Sequence, residues 1–150
     1  MSYDDLRKGR YSEQQRAYFV TTVLAERERR YFTDFACARC VVAEMRALHD
    51  DEAVSSLAWV VMPDHVHWLF QLGEDTNLSA AVKRFKACSA RRINGHLGRQ
   101  GALWQKAFYD HALRKDEDVQ GVARYIVANP LRAGLVEHIG EYPLWNAIWL

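Results

Sequence analysis

The chain has 150 residues, 49% of them hydrophobic, and a formal net charge of +1. That length builds one domain with a proper core, read here as residues 1–150, and leaves no room for two ordinary ones. No apolar run approaches the ~20 residues of a membrane span, Met1 to Arg10 is too polar for a signal sequence, and Cys37, Cys40 and Cys88 lack the spacing of a disulfide scaffold, so a soluble, cytoplasmic protein in a reducing compartment is expected.

In chain order, Ala17 to Leu24 is β-branched and aromatic and reads as a strand. A helix follows over Phe32 to Leu48, with Phe35, Val41, Val42, Met45 and Leu48 at helical spacing. Ser56 to Met62 and His65 to Leu72 are apolar and β-prone, and Pro63-Asp64 between them suits a tight turn, which predicts a central antiparallel hairpin. Thr76 or Asn77 is placed to cap a long helix that runs to about Leu97, where Gly98 and Gly101 break it. Ala107 to Arg114 reads as a fourth strand and Asp116 to Asn129 as a third helix, stopped by Pro130 because the residue before a proline is driven out of helical geometry. The order β-α-β-β-α-β-α favours an α+β fold with an antiparallel sheet rather than a doubly wound parallel one.

The small net charge conceals a local bias. Between Thr76 and Tyr109 there is no acidic residue, while Lys83, Arg84, Lys86, Arg91, Arg92, Arg99 and Lys106 all lie there. Such a run is either a solvated face or a phosphate-binding surface, and the lack of acidic neighbours favours the second. Arg114 and Arg132 flank the third helix and are candidates to hold a nucleic-acid strand there. Trp104, Phe108, Trp145 and Trp149 offer rings for base stacking, although core packing is the commoner use of such residues.

His65 and His67 alternate with Val66 on a strand, so both imidazoles project from one sheet face. They are either a hydrogen-bonded pair or two ligands of one cation that needs a third donor. Tyr125 and Asn129, four residues apart, stack on one helix face beside the apolar stripe of Val119, Val122, Ala123 and Ile126. They read either as an aromatic packed at the core edge with a helix cap, or as a pair facing a cleft. Cys37-x-x-Cys40 lies inside an amphipathic helix without a second such pair or a histidine nearby in sequence, and reads as two small thiols rather than a zinc or redox motif.

Taken together, MPDHVHWLF, LWQKAFYDHALR and ARYIVANPLRAGL resemble, in order and spacing, the REP-associated tyrosine transposases of the single-tyrosine HUH group. The motifs span Met62 to Leu135, and the first strand and helix also fit, so the resemblance covers most of the chain. It implies a ferredoxin-like antiparallel sheet with helices packed on one face. His65 and His67 then correspond to the paired histidines, Tyr125 to the catalytic tyrosine, and Asn129 to the residue completing a site for Mg²⁺ or Mn²⁺. The implied activity is metal-dependent cleavage and rejoining of single-stranded DNA at hairpin-containing repeats through a 5′-phosphotyrosine intermediate, by a monomer or a homodimer. No Gly-rich phosphate loop is present, in keeping with chemistry that needs no nucleotide. Lys83, Arg84, Lys86, Arg91, Arg92, Lys106, Arg114 and Arg132 are the expected DNA contacts. Tyr109 is the rival nucleophile, and Asp110-His111 matches the family pattern without an assigned role. The alternative is a domesticated hairpin-binding module that has little or no cleavage activity.

Overall fold

A computed structural model describes residues 16–114 and 117–149. The polar Met1 to Arg10 start and the expected helix start at Asp116 lie outside the described residues. Five strands form one antiparallel sheet: β1 (Ala17–Val23), β2 (Val54–Val61), β3 (His65–Leu72), β4 (Tyr109–Ala112) and β5 (Trp145–Ala147), in the spatial order β4-β1-β3-β2-β5. The first four strands, with α1 (Phe35–Asp50) after β1 and α2 (Leu78–Leu97) after β3, make the β-α-β-β-α-β arrangement of ferredoxin-like folds. The strand β3 occupies the expected residues and lies at the centre of the sheet, between β1 and β2.

The helices begin and end for local reasons. Asp34 caps α1 by accepting from the Ala36 amide at 2.9 Å, and Asn77 caps α2 by accepting from the Ala80 amide at 2.9 Å. Gly98 ends α2 in the left-handed region at φ 64°, a conformation costly for residues with a Cβ. Both helices lie on one face of the sheet, where Val41, Met45, Val82, Phe85 and Ile93 pack against Val20, Val66, Trp68 and Phe70. Trp68 and Trp104 keep their indole N–H groups satisfied inside this core, donating to the hydroxyls of Ser56 at 2.9 Å and Ser89 at 3.0 Å. Trp104 is thus a core residue.

The expected packing of helices on one face holds for α1 and α2. A third helix, α3 (Val119–Val127), covers part of the opposite face, where Ala123, Ile126 and Val127 pack on Leu57, Ala58, Val60 and Leu69. Nor does the chain leave helical geometry at Pro130. The proline cannot donate, so the helix is interrupted, but a short turn, α4 (Asn129–Arg132), resumes at once, with Arg132 donating to the Ala128 carbonyl and Ala133 to that of Asn129. The edge strand β5 is an addition to the expected order. Its three residues are too few to show an alternating pattern, and it is held by pairing with β2 and by the Tyr142 hydroxyl donating to the Val61 carbonyl at 2.5 Å.

Candidate active site

The alternation of β3 decides where its histidines point. Val66, Trp68 and Phe70 enter the core under α1 and α2, so His65 and His67 project from the face that α3 partly covers. Their ring centroids are 4.7 Å apart. Each ring is held through Nδ1: His65 by Asp64 Oδ1 at 2.7 Å, and His67 by the Thr21 hydroxyl at 2.8 Å from the neighbouring strand. Phe19 meets the His67 ring edge-on at 5.4 Å. With Nδ1 occupied on both rings, Nε2 is the nitrogen left to present a lone pair.

Electrostatics keep His67 neutral. Burial, then the charges of His65 and Arg132, push its pKa from 6.5 down to about 4. The Asp64 pKa is lowered as well, which in a carboxyl favours the charged form. Burial alone would raise its carboxyl, but hydrogen bonds from His65 and Arg27 together hold it below its usual value. Arg27 reaches Asp64 Oδ2 at 2.7 Å, which makes a chain of contacts Arg27–Asp64–His65.

Tyr125 lies on the outer side of α3 and is 57% exposed, while its neighbour Ile126 is fully buried against the sheet and fixes the helix in place. Because α4 continues the path of α3 after Pro130, Arg132 returns two turns later over Tyr125, with its guanidinium carbon 3.8 Å from the ring centroid. The same guanidinium is close enough for its charge to act on His67. Arg132 therefore links the tyrosine of the helix to the histidine of the strand. Asn129, half-buried at the start of α4, belongs to the segment between Tyr125 and Arg132.

Cross-strand pairing places Tyr109 opposite Thr21, and Thr21 opposite His67, so Tyr109 shares the histidine face, two strands away, or roughly 10 Å at ordinary strand spacing. His111 is on that face too and contacts Glu117 at 3.0 Å, whereas Asp110 faces the other way. The cations of α2 lie on the opposite side of the sheet from Tyr125. There Lys83, Arg84, Arg91 and Arg92 are exposed, with Arg84 paired to Asp51 and Arg92 to Glu44 at 2.9 Å. Lys86 is half-buried and donates to the carbonyls of Gln105 at 2.6 Å and Lys106 at 3.0 Å, which fixes the loop that presents the exposed Lys106. Arg114 is exposed beside Glu117. The structure thus brings His65, His67, Tyr125 and Arg132 to one face and leaves the α2 cations on the other.

Sequence reasoning passed over Thr21, Asp64 and Arg27. An acid directly before the first histidine was a readable signal for Asp64, whereas Thr21 and Arg27 reach the site through strand pairing and a turn that no local pattern announces. Beside His65, Arg27, Arg30, Met62 and Asp64 line an open groove whose far wall is Ala133 and Leu135, just past α4.

Comparison with known proteins identifies relatives of the chain and of its fold. Residues 13–129 match the family described as transposase, IS200-like. The chain is 29% identical over 140 residues to a Haemophilus influenzae protein assigned as a REP-associated tyrosine transposase, covering 84% of this chain and 76% of that one. It is 27% identical over 132 residues to the REP-associated tyrosine transposase of Escherichia coli, covering 84% and 72%. The solved structure of a REP-associated tyrosine transposase bound to a REP hairpin superposes with a TM-score of 0.68 at 25% identity, covering 87% of this chain and 76% of that one. The chain is thus similar to REP-associated tyrosine transposases, and it belongs to the IS200-like transposase family.

Proposed function

We propose that this protein cleaves and rejoins single-stranded DNA at hairpin-containing repeats, with Tyr125 as nucleophile and His65, His67 and Asn129 holding a divalent metal. The observation that carries this reading is Arg132, which stacks on Tyr125 at 3.8 Å while its charge acts on His67, so that tyrosine, cation and histidine belong to one site. The matched relative was solved with a REP hairpin, and we carry that class of DNA over to this chain.

The residues suit a metal. Two imidazoles share a face, each is oriented through Nδ1, and the half-buried His67 is held neutral, the form in which imidazole donates to a cation. Two nitrogen donors and one amide oxygen favour Mn²⁺ and admit Mg²⁺. When bound, the ion would polarise the scissile phosphate and relieve its developing charge.

The chain's own groups do the rest. The Tyr125 oxygen attacks phosphorus, its proton leaves to solvent, and the 3′-oxygen departs as a hydroxyl after protonation. The 5′ side then remains as a phosphotyrosyl ester, which a later strand hydroxyl can attack to rejoin DNA and release the tyrosine. Arg132, over the Tyr125 ring, would hold a phosphate oxygen near the nucleophile, and the groove lined by Arg27, Glu28 and Arg30 beside His65 would take the adjoining strand. A 5′-labelled single-stranded hairpin, incubated with the full chain and Mn²⁺ or with a chelator, tests this reading. Metal-dependent cleavage is expected. Tight hairpin binding without cleavage in either condition would instead make the protein a binding module.

A further inference from the structure

We propose that Asp34, Cys37 and His96 form a second metal site, selective for a thiophilic divalent cation of the zinc class, which ties the start of α1 to the last turn of α2. Cys37 Sγ lies 3.7 Å and His96 Nε2 3.2 Å from the same oxygen of Asp34, and all three donor atoms lie within 4.8 Å of one another. Bonds of ~2.0–2.1 Å to nitrogen and oxygen and ~2.3 Å to sulfur make tetrahedral edges of about 3.3–3.6 Å, so the donors need only small shifts to close on an ion.

The chemistry of the three donors is matched to such an ion. One thiolate, one carboxylate and one neutral imidazole form a shell of mixed softness whose two negative charges neutralise a zinc-class dication, whereas Mg²⁺ and Ca²⁺ prefer oxygen. The access is also suitable. Cys37 is fully buried at the floor, and the side chains of Asp34 and His96, 46% and 44% exposed, form the rim. Water is the candidate fourth donor, because the mutually close donor atoms are those of Asp34, Cys37 and His96.

Without the cation the thiol keeps its proton. The Cys37 S–H donates to Asp34 Oδ2 at 3.7 Å. Binding therefore exchanges that proton for the metal and releases it to solvent. Both helices lie on the face away from Tyr125, so this site is separate from the one that would serve cleavage. The Cys-x-x-Cys pattern gave no sign of it because its histidine arrives 56 residues later, from another helix.

Cobalt(II) titration of the full chain tests the proposal through the thiolate-to-metal charge-transfer absorption, which only a cysteine ligand produces. One equivalent should bind with that band, and one equivalent of zinc should bleach it. His96→Ala, at an exposed position that leaves the core intact, should weaken binding by about tenfold or more, and Cys37→Ser should abolish the band. The His67→Ala and Cys88→Ser variants should retain it. Absence of the band in the parent chain, or its survival at full affinity in His96→Ala or Cys37→Ser, would overturn the proposal.

Discussion

The guanidinium carbon of Arg132 lies over the ring of Tyr125, 3.8 Å from its centroid, seven residues on and across the interruption at Pro130. That spacing is two helical turns, which the chain preserves because α4 resumes where α3 stops. An arginine so placed offers stacking on one side and N–H donors on its edges, and a lysine cannot do both.

Removal of this cation should slow chemistry rather than unfold the protein, since Arg132 is exposed. For Arg132→Ala we expect single-turnover cleavage to fall by about tenfold to a thousandfold, the range for loss of one phosphate-facing donor, and Arg132→Lys to recover only part of it. Thermal melts should match the parent. An unchanged cleavage rate in Arg132→Ala would remove the residue from the site.

His67 makes stability depend on pH in a defined window. Its folded pKa is depressed to about 4 from 6.5, chiefly by burial, so between those values the unfolded chain binds the extra proton and the folded chain does not. Stability should therefore be full above about pH 6.5 and be lost as pH falls toward 4. Urea melts in chelator should show His67→Gln losing less stability across this interval than the parent. Equal losses would mean that His67 titrates normally.

The cations of α2 should act on affinity and not on the chemical step, because they lie across the sheet from Tyr125. The double variant Arg84→Ala, Arg91→Ala should bind hairpin DNA more weakly, with a slope of log affinity against log salt shallower by roughly one to two. Cleavage at saturating DNA should not change. Unaltered affinity and slope would exclude this helix from the interface.

How much of this was readable beforehand varied with the range of the forces involved. The hairpin about Pro63-Asp64, the limits of β3 and the Asn77 cap follow from turn chemistry, alternation and capping, all of which act within a few residues. The side of the sheet that α3 covers does not. Its stripe of Ala123 and Ile126 would fit either face, and the choice falls to Leu57, Val60 and Leu69 on distant strands. Arg132 was foreseen as a neighbour of the tyrosine, but its stacking was hidden because Pro130 reads as a stop and the structure uses it only as an interruption. Likewise Thr21 could not be linked to His67 before the β1–β3 register was known.

The nucleophile itself is the central claim, and two tyrosines compete for it. Tyr125 is exposed on α3 beneath Arg132, and Tyr109 is exposed on β4 on the same sheet face as His67. Tyr125→Phe deletes one oxygen and keeps the ring, so it should fold, bind hairpin DNA and form no covalent adduct, whereas Tyr109→Phe should form one. The direct measurement is mass spectrometry of the protease-digested adduct trapped on a single-stranded hairpin. We predict a 5′-phosphonucleotide on the peptide that carries Tyr125; its attachment to the peptide that carries Tyr109 would contradict the mechanism.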